Sequence, residues 1–197
     1  LTITPLPDAS GVTTIQLTAT DETGANGTAS LAFTVNEVND APSFTLTTNR
    51  VVAAEDTLFT LTNFVTNIVR GPLSEAKQGL TFLLTTTNKS FFAVLPALNA
   101  SGTLIFKPAA NATGTNAITV VLQDSGTSAL GGTNKSAPQI FQVEVTAMND
   151  APALTLPATF VINEDSGLTN LAFKVSDVDS ELTNVTVTAT SSNQDLI

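Results

Sequence analysis

The sequence contains no cysteine and no histidine. A chain without cysteine can form no disulfide bond, no zinc–thiolate site and no thiol nucleophile. A chain without histidine lacks the commonest general base, the usual ligand of transition metals and the Ser-His-Asp triad. Serine and threonine are plentiful, but no base lies at a recognisable spacing from them. We therefore expect that the protein is not an enzyme.

Tryptophan and tyrosine are also absent, and basic residues are scarce, since 7 Lys and Arg accompany 17 Asp and Glu. Nucleic-acid binding needs a basic surface, so a net charge of −10 argues against a nucleic-acid partner. Sugar-binding platforms usually present exposed aromatic rings, and their absence weighs against the main alternative function, a carbohydrate-binding or accessory module of a secreted enzyme. No apolar run is long enough to span a membrane.

The residues that are present favour short β-strands. Threonine and valine are abundant, and Gly, Asn, Asp and Pro interrupt the chain every dozen residues or so. This composition is typical of an all-β protein. Acidic, threonine-rich β-proteins often belong outside prokaryotic cells, so we expect an extracellular or cell-surface location.

A tetrapeptide, Asn-Asp-Ala-Pro, occurs at residues 39–42 and again at 149–152. Each copy follows an alternating apolar run and precedes a second apolar run that ends in an acidic pair, Glu55-Asp56 or Glu164-Asp165. Proline fixes the backbone and removes a donor, while Asn and Asp favour turns. We interpret the tetrapeptide as a hinge between tandem repeats.

Two ungapped alignments within the chain define those repeats. Residues 1–11 align with 104–114 at an offset of 103, and residues 80–92 align with 185–197 at an offset of 105. We predict a complete β-sandwich repeat at 40–149, the C-terminal half of a repeat at 1–39 and the N-terminal half of a third at 150–197. A copy of 1–39 would complement 150–197, because half a sandwich exposes its core and its sheet edges.

Hydrophobic alternation predicts the individual strands, and no segment has a sustained helical period. In the complete repeat we predict strands at 43–47, 50–54, 58–64, 80–86, 102–107, 117–123 and 139–146. In the partial repeats we predict them at 1–4, 11–20, 160–163, 171–175 and 182–190. We predict hairpin turns at 21–24 and 124–126, and longer loops at 68–72 and 131–134. Five phenylalanines fall at inward positions and should form core: Phe33, Phe59, Phe82, Phe106 and Phe141.

The first hinge, Glu37-Val38-Asn39-Asp40-Ala41-Pro42, resembles the D-x-N-D-x-P linker of cadherin repeats. It is more similar still to the cadherin-like repeats of large bacterial surface proteins of the adhesin type, in which V-N-D-A-P and E-D-T/S recur. The resemblance covers the whole chain. It implies tandem Ig-like or cadherin-like β-sandwiches, with Ca²⁺ between successive domains to stiffen each junction.

The resemblance also implies a set of calcium ligands. For the second junction these are Glu55, Asn149, Asp150, Asp177 and Asp179, and Asp21 fits the turn position of the same type of repeat. For the first junction they are Glu37, Asn39, Asp40 and Asp124, together with Glu164 of a preceding copy. Oxygen ligands of this kind suit Ca²⁺. The alternative is that the same Asn and Asp side chains only cap turns.

The sequence departs from the cadherin pattern in three places. Ala147 replaces a linker acid, residues 66–68 lack a D-x-D element, and residues 107–110 lack an acidic element. Each junction should therefore hold one ion at most. We expect an extracellular structural or adhesive module, one period of a filament or giant surface protein, whose partners are copies of itself arranged head to tail.

Two covalent modifications remain as minor alternatives. N-glycosylation could use any of six N-x-S/T triplets, at Asn26, Asn88, Asn99, Asn111, Asn134 and Asn184. Lys–Asn isopeptide cross-links, which form in some surface sandwiches, could involve Lys77, Lys89, Lys107, Lys135 or Lys174.

Overall fold

A computed structural model describes residues 1–167 and 169–195. Residue 168 and the last two residues of the predicted segment 150–197 lie outside the described part. The chain forms two compact units, Leu1–Thr146 and Ala147–Ile197. The described residues form β-strands and short 3₁₀ turns without an α-helix, which confirms the all-β class. None of their helices is long and apolar enough to cross a membrane.

The first unit contains eleven strands, and all of its residues are described. They are β1 (Gly11–Thr20), β2 (Asn26–Val35), β3 (Ser43–Leu46), β4 (Arg50–Ala54), β5 (Phe59–Leu61), β6 (Val65–Val69), β7 (Leu80–Thr86), β8 (Phe92–Leu98), β9 (Leu104–Pro108), β10 (Gly114–Asp124) and β11 (Gln139–Thr146). The second unit contains β12 (Ala153–Thr155) and β13 (Lys174–Ser176), which pair antiparallel.

Strands β3 to β11 form a β-sandwich. One layer is a four-stranded sheet in the order β4-β11-β10-β7, in which β4 and β11 are parallel. The other layer consists of the pair β3-β6 and the three-stranded sheet β5-β9-β8. Strands β1 and β2 form a separate antiparallel hairpin.

The core lies between the two layers of the sandwich. Alternate residues of β10 and β11 are fully buried, as expected when one face of a sheet is packed and the other is solvated. Phe64 and Phe141 meet edge to face with ring centroids 4.8 Å apart, and Phe59 stacks on Phe106 at 4.7 Å. Full burial of a phenylalanine ring stabilises a fold by about 1.5–3 kcal/mol.

The predicted core phenylalanines differ in their burial. Phe106 and Phe141 are completely buried, which confirms their prediction as core residues. Phe59 and Phe82 are partly buried and pack against the same core. Phe33 lies in the separate hairpin and is only half-buried.

The hairpin β1–β2 has the same register as β10–β11. Gly11 pairs with Val35, and Gly114 pairs with Val145. Corresponding residues of the two hairpins differ in number by 103 in the first strand and by 110 in the second strand. The loop that connects the strands is therefore seven residues longer in β10–β11. The turns before the two hairpins also match, because Asp8 and Asn111 have φ angles of 57° and 58°.

Several strand predictions in the complete repeat are confirmed, and three features differ. The predicted strand 58–64 is shortened to β5, because the chain turns at Asn63, which has a φ of 55°. Strand β6, which follows this turn, was not predicted. The sequence pattern missed β8, whose pairing with β9 is interrupted by bulges and which contains Pro96. Bulges and proline both break the regular alternation that marks a strand.

The predicted turns and loops also differ in part. The hairpin turn at 21–24 is confirmed by a bond from the Asp21 N–H to the Ala25 carbonyl at 3.0 Å. Residues 124–126 do not make a tight hairpin turn, because the chain runs through a long loop before β11 begins at Gln139. The loop at 131–134 belongs to that connection, whereas the loop predicted at 68–72 begins two residues late because β6 extends to Val69.

Three strands predicted for the partial repeats are wrong, since residues 1–4, 160–163 and 182–190 form none. The strand predicted at 171–175 is reduced to the short β13. A strand needs a hydrogen-bonded neighbour. Residues 1–4 correspond to β9, whose neighbours β5 and β8 have no counterpart in 1–39. The division into repeats at 1–39, 40–149 and 150–197 stays a prediction.

Candidate functional site

The first hinge, between β2 and β3, is held by side chains of the sandwich that follows it. Asn39 is only 6 % exposed, although it is polar. Its Nδ2 donates to the Thr133 carbonyl at 2.6 Å and lies 3.3 and 3.4 Å from the carboxylate oxygens of Asp124. Its Oδ1 accepts from Nε2 of Gln78 at 2.6 Å. The side chain of this hinge residue is thus built into the sandwich.

The long loop after β10 closes over Asn39 because two of its residues are glycines. A Cβ at Gly126 would overlap the Asn39 carboxamide. A Cβ at Gly132 would lie 2.9 and 3.0 Å from the backbone N and O of Asn39. The Thr133 N–H donates to the Asn39 carbonyl at 2.9 Å, which completes the contact between loop and hinge.

The next hinge residue is held by Glu75, a side chain that sequence reasoning missed. The backbone N–H of Asp40 donates to Oε1 of Glu75 at 2.9 Å. Glu75 lies at the end of the 3₁₀ turn Leu73–Glu75 and is 2 % exposed. The only sequence signal was an acidic residue shortly after Pro72.

Two oxygens at this hinge are buried without a hydrogen-bond donor among the described residues. They are Oε2 of Glu75 and Oε1 of Gln78. A buried polar atom without a partner is costly, and a buried carboxylate oxygen is more so. The chain approaches Glu75 closely at Gly71, where a Cβ would overlap Oε2.

In the second unit the structure brings three predicted ligands together. The backbone N–H of Asp150 donates to Oδ2 of Asp179 at 2.6 Å. Oδ1 of Asp177 accepts from the N–H groups of Asp179 and Ser180, at 2.9 and 2.6 Å. Asn149 is exposed, and its Nδ2 donates to the Asp150 carbonyl at 2.9 Å. Asp177 and Asp179 therefore form a turn that holds the hinge.

Other predicted ligands lie further from these contacts. Glu37 is exposed and lines a cavity of about 400 Å³ that Asn39 and Glu75 also line. The side chain of Asp40 is exposed. Glu55 is 1 % exposed in the first unit, and its N–H donates to the carbonyl of Thr146, the last residue of β11, at 3.2 Å.

Glu164 occupies the turn in the second unit that corresponds to Glu55, and it is exposed. The two turns have the same backbone conformation, since Asp56 and Asp165 both have a φ of 60°. The assignment of Glu164 to the first hinge involves a preceding copy of the repeat and stays a prediction.

Asp21 caps its own hairpin turn. Its Oδ1 accepts from the backbone and the hydroxyl of Thr23, at 2.9 and 2.8 Å, and from the Ala25 N–H at 2.9 Å. The Thr23 hydroxyl, followed by the backbone N–H groups of Ala25 and Thr23, lowers the pKa of Asp21 below its ordinary value of 3.8. Asn99 makes the same contacts in the turn between β8 and β9, so the turn accepts either residue type.

The candidate metal ligands at both hinges are carboxylate, carboxamide and carbonyl oxygens, the kind that Ca²⁺ prefers. Within residues 1–167 and 169–195, no three acidic side chains lie close enough together to form a metal centre. At the first hinge the Asn39 amide hydrogens point toward the Asp124 carboxylate, while Glu75 and Gln78 supply oxygens without donors. At the second hinge the acidic side chains come from Asp177 and Asp179.

No protein-family model matches the sequence, and no curated protein matches it. Among solved structures, the chain is similar to one described as protocadherin gamma B7 extracellular cadherin domains 1–4. The identity is 21 % and the TM-score is 0.38, over 86 % of this chain and 41 % of that chain. The chain thus spans less than half the length of that solved structure.

Proposed function

We propose that this protein is an extracellular structural module, a spacer in an array of β-sandwiches whose junctions have a fixed orientation. The observation that carries the proposal is the burial of Asn39, whose side-chain atoms bond to the sandwich that follows the hinge. Ordinary linkers between domains are exposed and make few contacts. A buried hinge instead passes the orientation of one repeat to the next.

Calcium would stiffen these junctions further. At the second hinge Asp150, Asp177 and Asp179 would supply oxygens to the ion. At the first hinge Asp124 and Glu75 would do so, together with Glu37, Asp40 and the carboxamide oxygen of Asn39. A bound Ca²⁺ would supply the positive charge that the buried Glu75 Oε2 lacks, and this would stabilise the folded state by mass action.

The partners of the module would be copies of itself, head to tail, in a filament or a tandem array at the cell surface. The chain has no tryptophan and no tyrosine, the residues that most often form sugar-binding platforms. A glycan array should accordingly show no selective binding.

Hinge rigidity can be measured directly by backbone ¹⁵N relaxation. We expect residues 38–42 to have order parameters like those of β10 and β11, and Asn39→Ala to lower them at the hinge alone. Order parameters typical of a flexible linker in the wild-type protein would contradict the spacer function.

Calcium binding can be measured by thermal unfolding with Ca²⁺ and with a chelator. We expect Ca²⁺ to raise the Tm of the wild-type protein, and Asp177→Asn and Glu75→Gln each to reduce that increase. Asp195→Asn is the matched control and should retain the full increase. Identical unfolding of the wild-type protein under both conditions would contradict calcium stiffening, but it would not contradict the proposal of a rigid hinge.

A further inference from the structure

The hairpin β1–β2 has one apolar face, which we call the open face. It consists of Ile15, Leu17, Ala29, Leu31, Phe33 and Val35, which the register places on one side of the two strands. Leu17 is 49 % exposed and Leu31 is 54 % exposed. The opposite side carries mostly polar residues, and half of its residues are threonine. A two-stranded hairpin with an uncovered apolar face is marginal in water.

The same face is buried in the complete sandwich. Leu31 corresponds to Phe141 and Phe33 to Val143, both of which are completely buried. Ile15 corresponds to Ile118, which is 1 % exposed. The open face therefore corresponds to half of a sandwich core. In the complete sandwich, β4 pairs with one edge of β10–β11, β7 pairs with the other edge, and the second layer packs on the apolar face.

The second unit presents segments that correspond to those covering strands. Residues 159–163 correspond to β4 at an offset of 109, and residues 185–191 correspond to β7 at an offset of 105. Their inward residues are uncovered, since Phe160, Ile162 and Val187 are 50 %, 51 % and 45 % exposed. Neither segment forms a strand in its own unit, although both have strand-forming sequences.

We propose that β1–β2 of one copy inserts between residues 159–163 and 185–191 of a second copy. The product is a four-stranded sheet in the order 159–163, β2, β1, 185–191, with the first pair parallel, as β4 and β11 are. This docking rests on the proposed head-to-tail association of copies, and it specifies which residues of the two copies pair. Phe33 lies opposite Phe160, as Val143 lies opposite Val51, and Gln16 lies opposite Thr190, as Thr119 lies opposite Thr85.

A polar contact should accompany this docking. In the complete repeat Asp124 and Asn39 lie within 3.3 Å of each other at the hinge. Their counterparts, Asp21 and Asn149, are both exposed. Docking would bring Asp21 of one copy to Asn149 of the next. Because the two surfaces differ, repetition gives an open filament unless the rotation closes a ring.

The absence of cysteine makes disulfide trapping a direct test. Two full-length chains of different tag size, one with Gln16→Cys and one with Thr190→Cys, are mixed and oxidised. A second mixture uses Thr34→Cys and Val161→Cys, the counterparts of Glu144 and Val52 across β4 and β11. The matched control replaces Thr190→Cys by Ala189→Cys, one residue out of register and on the other face.

We expect mixed-size disulfide dimers from both in-register mixtures, at least tenfold above the control. Leu31→Ala in the hairpin chain should reduce the yield of both. A chain that sediments as a polymer and gives equal yields in and out of register would overturn this inference and leave head-to-tail association standing.

Two other outcomes separate the proposals. A chain that stays monomeric by sedimentation would overturn both head-to-tail association and this docking, whereas the hinge and calcium measurements would stand. A Gln16→Cys/Thr190→Cys double variant that closes within one chain at every dilution would overturn the second copy as the occupant.

Discussion

The backbone N–H of Asp40 donates a hydrogen bond to Glu75, as the N–H of Asp150 does to Asp179. Asp40 and Asp150 occupy the same place in the two hinges. Their partners differ in type, since Asp179 comes from a D-x-D turn and Glu75 from a 3₁₀ turn, but both follow the strand that pairs with the first strand after the hinge. The complete repeat lacks D-x-D, and Glu75 supplies a carboxylate to the hinge in its place.

Replacement of Glu75 should show how much this bond contributes. Glu75→Ala leaves the Asp40 N–H without its acceptor in a buried site, so we expect a loss of about 1.5–3 kcal/mol in the free energy of unfolding. Glu75→Gln keeps the Oε1 acceptor and should cost less. Urea unfolding measures both, with the exposed Glu22→Ala as control. Equal stability of all three variants would contradict a structural role for Glu75.

Gly126 should tolerate no side chain, because a Cβ there would overlap the buried carboxamide of Asn39. We expect Gly126→Ala to displace Asn39 and to destabilise the protein by about 1–3 kcal/mol. Gly79→Ala is the control, since its Cβ would meet only the Ser125 hydroxyl at 4.0 Å. Equal Tm values for the two variants would show that the loop does not hold the hinge.

The turn at Asp21 should respond to acid. The folded pKa is lowered, so the ionised carboxylate stabilises the turn. This contribution is complete above pH 3.8, the ordinary pKa, and is lost as the pH falls through the lowered folded value. NMR titration of the Asp21 carboxyl should show the lowered pKa, and Thr23→Val should raise it. Thr18→Val should leave it unchanged, and a pKa that does not respond to Thr23→Val would contradict the role of the Thr23 hydroxyl.

Corresponding residues of the two hairpins should differ in their effect on stability. Phe141→Ala removes a buried ring that contacts Phe64, so we expect a loss of about 3–5 kcal/mol. Leu31→Ala, at the corresponding position, should change the stability of a dilute sample by less than about 1 kcal/mol, because Leu31 is 54 % exposed. Calorimetry at low protein concentration compares them. A large loss for Leu31→Ala in a monomer would mean that its own chain already covers the open face.

Much of the fold could be predicted because period-2 alternation and turn residues are local signals. Strands β4, β7 and β11 have the predicted bounds, and the all-β class follows from the same pattern. The end of β5 and the presence of β6 could not be predicted, since the chain turns between them at Asn63, which has a left-handed conformation. Strand β8 was hidden by its bulges and by Pro96.

The hinge contacts could be predicted only in part. Asn39 with Asp124, and Asp150 with Asp177 and Asp179, were named from the sequence because their motifs resemble the calcium-binding motifs of cadherin repeats. Glu75 was missed because its role depends on a contact with Asp40, 35 residues away, and on the space that Gly71 leaves. Non-local packing of this kind leaves no periodic trace in the sequence.

The parallel pairing of β4 and β11 determines how the repeat responds to mechanical tension. A pull between the hinge at Asn39 and the end of β11 at Thr146 draws the two strands in opposite directions along their common axis. Five residue pairs, from Gln142–Arg50 to Thr146–Ala54, then bear the force together in shear, and the Arg50–Glu144 ion pair spans the same strands. An antiparallel pair pulled from one end would open one bond at a time. A chain of such repeats should therefore extend little until a whole ladder yields.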